Sequence, residues 1–239
     1  NARRALLLED ARTSKDPRNL WFLPQGLDEA APLRAGSVLS HTTGVLDQRR
    51  GEYRLQLTEK LDVRQAPRPN GVPKVAGNLR VASLNMHNLF NGDGHGGGFP
   101  TERGATTREE YERQLAKLVG VVQALHPDIA VMMEVENDGS GADSTLVQLV
   151  NALNAAGPVR DYRWIDTGDK LGNDAIHVAM IYRGGAVTPV GKYATLLDGP
   201  FANRSRAPLT QLFQLPDGEK LQLTAVHYKS KGCGRAPDQ

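Results

Sequence analysis

The stretch "IAVMMEVEND", residues 129–138, places three acidic residues directly after a run of apolar ones. The apolar run predicts a strand that is buried on both faces of a sheet. Glu134, the first acidic residue, follows this run without an intervening turn. A carboxylate at the end of a buried strand costs free energy unless a partner compensates its charge. The stretch therefore predicts an α/β core with a polar site at the end of one of its strands.

The composition excludes several broad classes of protein. Of the 239 residues, 39% are hydrophobic and 23% are charged, which supplies enough apolar material for a packed core. The formal net charge of +2 is too close to neutral to indicate a polyanionic partner by itself. No apolar run approaches the ~20 residues that a membrane span needs, so we expect none. The composition does not indicate an oligomeric state.

The pattern changes along the chain and predicts two domains joined by a linker. Residues 1–64 are interpreted as a small β module, since apolar and polar residues alternate in "EYRLQL" after a turn predicted at residues 47–51. Residues 65–78 contain three prolines and two glycines, as linkers often do. Residues 79–239 are interpreted as the first part of an α/β domain.

Two helices and several strands are predicted in this α/β part. Thr107 and Glu110 fit a capping box before a helix that ends near Pro127. A second helix is predicted to begin after Asp143 or Ser144 and to close at Gly157. Apolar runs predict further strands at residues 79–87, 128–133, 176–182, 209–213 and 221–227.

Polar residues follow three of these strands at the same end of the apolar run. They are Asn85, Glu134 and His227. Together, a carboxylate, an amide oxygen and an imidazole would suit a hard cation beside a hydrogen-bond donor or general acid. Each residue taken alone has a simpler interpretation: Asn85 as a turn former, Glu134 as a partner of a helix or loop, and His227 as a histidine bonded locally. The shared position favours the functional interpretation.

Five ordered motifs between residues 79 and 233 resemble the endonuclease/exonuclease/phosphatase superfamily, and in particular its secreted bacterial nuclease branch. They are "LRVASLNMHNLF", "LHPDIAVMMEVEND", "DTGDKLGNDAIHVAMIYR", "RSRAPLTQLF" and "LTAVHYKSKGC". The resemblance implies part of a four-layer α/β sandwich, in which two packed mixed sheets are flanked by helices. It also implies that a small oligonucleotide-binding-like β module precedes the catalytic domain.

The resemblance also implies roles for individual residues. Glu134 matches the family's metal-binding glutamate, for Mg²⁺ or Mn²⁺, and Asn85 matches the asparagine beside that metal. His227 matches the histidine that contacts the scissile phosphate and takes part in acid catalysis. Arg206 matches a phosphate-contacting arginine. Asp174 lies near the position from which the family orients this histidine, although Ile176 occupies the place where pancreatic-type members carry an acid.

The implied partner is DNA, with RNA as an open alternative. Lys229 and Lys231 follow His227 and could hold a phosphate backbone, or could belong to a solvated turn. In the β module, we expect Arg49, Arg50 and Arg54 to contact single-stranded nucleic acid, the alternative being a solvated edge strand.

Three functions remain open from the sequence: a secreted metal-dependent nuclease, a phosphoesterase of the same fold acting on lipid or inositol phosphates, and a nucleic-acid-binding fragment without catalysis. The family's second half carries an Asp-x-Asn pair, a later Asp and an Asp-His pair, whereas Asp238 is the only acidic residue after His227. We therefore expect a fragment that is inactive alone. Taken alone, Cys233 is either a free thiol or pairs with a cysteine outside this chain. The resemblance, which would continue toward a second cysteine, implies that Cys233 is half of a disulfide, as in a secreted protein.

Overall fold

The computed structural model describes two compact units, which are treated separately below. Contacts between Cα atoms divide the chain into Asn1–Asn70 and Gly71–Gln239. The structure describes residues 5–12, 19–24, 26, 32–67, 71–202 and 205–228. No helix in these ranges is long and apolar enough to cross a membrane.

The described residues of the first unit form five short strands. They are β1 (Leu7–Glu9), β2 (Val38–Ser40), β3 (Gly44–Arg49), β4 (Glu52–Leu57) and β5 (Asp62–Arg64). One sheet has the order β1-β4-β3, and β2 pairs with β5 in the other. Arg50 and Gly51 form the β3–β4 turn with φ values of 52° and 82°. Two positive φ values are those of a type I′ hairpin turn. The turn is therefore shorter than residues 47–51, because Asp47 already pairs with Arg54.

The second unit begins with a mixed four-stranded sheet. Its strands are β6 (Val81–Leu89), β7 (Ile129–Glu136), β8 (Tyr162–Trp164) and β9 (Ile176–Arg183), in the order β6-β7-β9-β8. β6 and β7 are parallel, whereas β9 is antiparallel to both β7 and β8. β7 is central and apolar, as expected for a strand that is covered on both faces.

Two helices cover one face of this sheet. They are α1 (Arg108–Leu125), which connects β6 to β7, and α2 (Thr145–Ala156). The hydroxyl of Thr107 accepts a hydrogen bond from the Glu110 N–H, and the Glu110 carboxylate accepts from the N–H of Thr106. Ser144 caps α2 through Val147. The buried cluster beneath the helices includes Val122, Leu149 and Ile181.

A second sheet covers the other face. It consists of β10 (Thr188–Thr195), β11 (Leu209–Gln214) and β12 (Lys220–Ala225), all antiparallel. Phe213 from this sheet and Met180 from β9 belong to one buried cluster. The α/β class with packed sheets is therefore confirmed, and the described residues form three layers, helices on sheet on sheet. Among the described residues, the first sheet is mixed and the second sheet is antiparallel throughout.

The sequence prediction missed β8 and β10. β8 has only three residues, which is too short for an alternating pattern to be recognised. β10 contains Pro189 and Gly191 and has a register irregularity between Val190 and Ala194. Because β10 lies at the edge of its sheet, the missing N–H of a proline costs little there.

A buried histidine in β9 should make the stability of the protein depend on pH. His177 is 2% exposed, and neither ring nitrogen has a hydrogen-bond partner in the described part of the chain. Burial lowers the pKa of His177 from 6.5 to about 4. Below pH 6.5 the imidazole of His177 therefore binds a proton in the unfolded chain but not in the folded chain. The free energy of unfolding consequently decreases as the pH falls toward 4. Because one pKa unit corresponds to about 1.4 kcal/mol, the loss should be about 3 kcal/mol.

Denaturant unfolding of wild type and His177→Leu at pH 7 and at pH 4.5 measures this loss. The variant should lose less stability than the wild type over that range, because leucine does not titrate. The exposed His95, replaced by Leu, serves as the control and should retain the wild-type dependence. Equal pH dependence in wild type and His177→Leu would contradict the prediction.

Candidate active site

The parallel strands β6 and β7 lose their regular pairing at the end that carries Glu134. Asn85 pairs with Met133, and the next pair joins Leu89 to Val135, so three residues of β6 face a single residue of β7. That single residue is Glu134, whose φ of 62° lies in the left-handed region. This conformation is uncommon for residues other than glycine, and such strain is often stored at functional sites.

The extra residues of β6 bring a backbone donor to Glu134. His87 and Asn88 also have positive φ values, 56° and 52°. The Asn88 N–H donates to Glu134 Oε2 at 3.2 Å. Gln114 of α1 fixes this irregular segment, because its amide donates to the carbonyls of Met86 and His87 at 3.0 and 2.9 Å. Three hydrogen bonds therefore hold the irregular end of β6 in place.

Glu134 and His227 meet although 92 residues separate them in the chain. His227 Nε2 lies 3.6 Å from Glu134 Oε1, and both side chains are about four-fifths buried. His227 follows β12, and its carbonyl accepts a hydrogen bond from the hydroxyl of Ser205 at 3.2 Å. The site therefore lies where the ends of β7 and β12, from the two packed sheets, come together.

The other two acids of the opening stretch point elsewhere. Glu136 accepts hydrogen bonds from the Asn91 N–H and the Thr145 hydroxyl, at 2.9 and 2.8 Å. Asp138 accepts from the Thr145 N–H at 2.8 Å, at the start of α2. Burial raises the pKa of both carboxyls. Of the three acids, Glu134 is the one that contacts His227.

Asp174 joins two arginines beside this pair. Arg206 Nε lies 3.2 Å from Asp174 Oδ2, and Arg103 Nη1 lies 2.8 Å from Asp174 Oδ1. The sequence analysis placed Asp174 as the partner of His227, whereas these contacts go to the arginines. Asp174 nevertheless remains near enough for its charge to act on the histidine.

The surroundings of His227 favour its neutral form. Burial, followed by the positive charge of Arg206, lowers the pKa of His227 below its ordinary value of 6.5. The charges of Glu134 and Asp174 act in the opposite direction and are outweighed. His227 is therefore neutral at pH 7, with one ring N–H that can donate a hydrogen bond.

Glu134 and Asn85 could together hold a divalent cation. Asn85 Oδ1 accepts the His87 N–H at 2.7 Å, and an amide oxygen retains a second lone pair for a metal. Within the described ranges, no three or more His, Cys, Asp or Glu side chains cluster as a metal cage. Mg²⁺ is commonly bound by one or two carboxylates, with water and substrate phosphate completing its shell. These residues therefore fit Mg²⁺ or Mn²⁺ better than a cation that needs an all-protein cage.

The remaining predicted residues belong to the first unit or lie outside the described ranges. In the first unit, Arg54 forms an ion pair with Glu9 and lies 3.4 Å from Glu52, and Arg49 lies 2.6 Å from Asp47. Arg50 is exposed in the hairpin turn. Nucleic-acid binding by this face stays a prediction, and carboxylates already neutralise two of its three arginines. Lys229, Lys231 and Cys233 lie outside the described residues.

Asn137 organises the loop that carries Asp174, and the sequence analysis missed it. Its side chain is 3% exposed and donates to the carbonyls of Leu171, Gly172 and Asp174, at 3.2, 3.3 and 2.9 Å. Its oxygen accepts from the Leu171 N–H at 2.8 Å. Asn137 is a polar residue just after a buried strand, which is the same sequence pattern that identified Glu134. The sequence could therefore have predicted a role for Asn137.

Replacing Asn137 with Ala should destabilise the protein by about 1–3 kcal/mol or more, because it leaves buried backbone groups without partners. Denaturant unfolding measures this change. Asn151 is exposed on α2, and Asn151→Ala should stay within about 0.5 kcal/mol of wild type. If both variants unfold at the same denaturant concentration, Asn137 does not hold the loop.

Comparison with known proteins gives distant structural likenesses. No family model matches the sequence, and no curated protein matches it. The human Nocturnin catalytic domain with a bound sulfate anion is 12% identical, covers 65% of this chain and 51% of its own, and has a TM-score of 0.39. ANGEL2, a 2′,3′-cyclic phosphatase, is 12% identical, with coverages of 48% and 31% and a TM-score of 0.35. This chain thus spans about half or less of the length of these two proteins. The low identities and TM-scores assign it neither a family nor an activity.

Proposed function

We propose that this chain belongs to a metal-dependent phosphodiesterase of the endonuclease/exonuclease/phosphatase superfamily, which hydrolyses DNA outside the cell. The observation that carries the proposal is the meeting of Glu134 and His227 at 3.6 Å, with Arg206 close enough to affect the histidine. An acid, a neutral imidazole and a guanidinium can together bind a phosphate and stabilise the charge that develops on it during hydrolysis. The five sequence motifs support the same proposal, and they alone support DNA as the substrate and secretion.

The two cationic groups of the site would have different roles. Glu134 and Asn85 would hold Mg²⁺ or Mn²⁺, which would supply charge that offsets the negative charge of the phosphate oxygens. Arg206 forms an ion pair with Asp174, with Nε 3.2 Å from Oδ2 but without the geometry of a hydrogen bond, and a guanidinium presents a planar fork that matches a phosphate. The arginine therefore orients the phosphate, and the Asp174 contact fixes the arginine before substrate arrives.

His227 would act on an oxygen of the reacting phosphate. Its Nε2 is the ring nitrogen nearest Glu134, and Nδ1 is buried without a hydrogen-bond partner in the described part of the chain. A neutral imidazole in this orientation can donate the Nε2 hydrogen to the phosphate or to the leaving oxygen. That hydrogen bond would strengthen as negative charge develops there.

Hydrolysis assays with the full-length protein test the proposal. Supercoiled plasmid should be nicked in Mg²⁺ or Mn²⁺ and should stay intact in EDTA. Inositol phosphates and phospholipid vesicles, assayed in parallel, should release no phosphate or headgroup. Release from these substrates without plasmid nicking would assign the site to lipid or inositol phosphoesters, and DNA binding without turnover would assign the chain to a binding protein.

A further inference from the structure

Among the described residues, Arg103 is an arginine beside the site that the proposed mechanism does not use. It lies in the turn before α1, and the hydroxyl of Thr101 closes this turn. That hydroxyl accepts from the Gly104 N–H at 3.1 Å and donates to the Ala105 carbonyl at 2.8 Å. A Cβ added at Gly104 would lie 2.5 Å from the Asn88 carbonyl oxygen, so this turn packs directly against the end of β6. The backbone of the turn that carries Arg103 is therefore held in place.

Arg103 contacts Asp174 on the oxygen opposite to the one that faces Arg206. Its side chain is 39% exposed, twice the 19% of Arg206. A guanidinium has five N–H donors, and the contact to Asp174 uses Nη1. Two guanidinium groups share the Asp174 carboxylate, and Arg103 Nε also lies 3.9 Å from the exposed carboxylate of Glu102. The contact to Asp174 leaves the remaining N–H groups of the partly exposed Arg103 available to a ligand.

The two arginines differ in their relation to His227. Arg206 is among the charges that affect this histidine, whereas Arg103 is absent from them. Arg103 instead reaches the site through Asp174, whose other carboxylate oxygen faces Arg206. It also lines a surface cavity of about 230 Å³ together with His87 and Asn88, next to the segment that donates to Glu134. A substrate that extends beyond the reacting phosphate has room to pass beside it.

We propose that Arg103 binds a phosphate adjacent to the reacting one, so that this site selects a chain of phosphodiesters over an isolated phosphoester. The inference rests on the proposed phosphodiesterase function and adds the substrate length that the site recognises. Asp174 positions both guanidinium groups, with Arg206 directed at the reacting phosphate and Arg103 at its neighbour. A planar fork suits each phosphate, and the carboxylate between the two arginines keeps them apart.

Binding and turnover of two substrates test this proposal in the full-length protein. The substrates are a single-stranded oligonucleotide and bis(p-nitrophenyl) phosphate, a diester with no neighbouring phosphate. Arg103→Ala should lower kcat/KM for the oligonucleotide by about tenfold or more, mainly through KM, since a hydrogen bond to a charged group is lost. For the small diester, kcat/KM should stay within about threefold of wild type. Arg108→Ala removes an exposed arginine that pairs with Glu112, and it should match wild type on both substrates.

Oligonucleotide binding in EDTA, followed by fluorescence anisotropy at several salt concentrations, tests the same contact without turnover. Arg103→Ala should reduce the slope of log K against log[salt] by about 1, the value expected for one lost phosphate contact. Arg103→Lys should restore this slope and regain only part of the affinity, because lysine keeps the charge and loses the fork. Thermal unfolding of each variant verifies that it is folded.

Three results would overturn the proposal: an unchanged salt slope in Arg103→Ala, equal losses of kcat/KM on the two substrates, or no oligonucleotide binding by wild type. Failure of the proposed function gives a different result. In that case wild type hydrolyses neither substrate, and the anisotropy data alone decide whether Arg103 binds phosphate.

Discussion

Glu134→Gln should reduce the phosphodiesterase activity by more than about 10²-fold while leaving the fold intact. Residues that only orient metal ligands already contribute 10–100-fold to metal affinity or activity, so loss of a carboxylate that itself binds the metal should exceed that range. Glutamine has the size of glutamate, and its amide oxygen can still accept the Asn88 N–H. The variant therefore removes the charge that would hold the cation and keeps the contact that stabilises the irregular strand end.

Two measurements separate these effects. Titration calorimetry with Mn²⁺ should show weaker binding to Glu134→Gln than to wild type, and denaturant unfolding should show similar stability. Glu136→Gln is the matched control, because Glu136 lies on the same strand and bonds to Asn91 and Thr145 instead. It should retain wild-type activity. Near-normal rates for Glu134→Gln at limiting Mg²⁺ would show that the metal is held elsewhere.

His227→Ala should lower kcat by about 10²–10⁴-fold, the range expected when a positioned hydrogen-bond donor or acid is removed. KM should change little, because Arg206 would still orient the phosphate. The variant also removes the ring beside Glu134 Oε1, which leaves that carboxylate free to hold a cation. Steady-state kinetics on the plasmid and on a small phosphodiester give kcat and KM separately.

The control for this variant is His95→Ala. His95 is exposed and lies 3.4 Å from Asp143, with no contact to the residues of the site among those described. Its replacement should leave both kinetic constants unchanged. If His227→Ala raised KM with kcat unchanged, His227 would be a binding residue and the proposed hydrogen bond to the leaving oxygen would be wrong.

The sequence was most informative where one local pattern decides the structure. The helical spacing and the caps at Thr107 and Ser144 predicted α1 and α2, since a helix forms its backbone hydrogen bonds within a single segment. The apolar run at residues 129–133 predicted β7 and its burial. β10 could not be found in this way, because its proline is tolerated at a sheet edge and its glycine weakens the strand pattern, and the strand order is a property of the whole sheet.

The sequence by itself determined which groups could take part in chemistry: one acid at the end of a buried strand, one histidine after another strand, and an arginine in the segment before β11. Only the tertiary structure decided that Glu134, and not Glu136 or Asp138, meets His227, because the positive φ of Glu134 redirects its side chain. It also decided that Asp174 holds Arg103 and Arg206. These contacts join residues that are far apart in the chain, so they depend on sheet packing and loop geometry rather than on any local pattern.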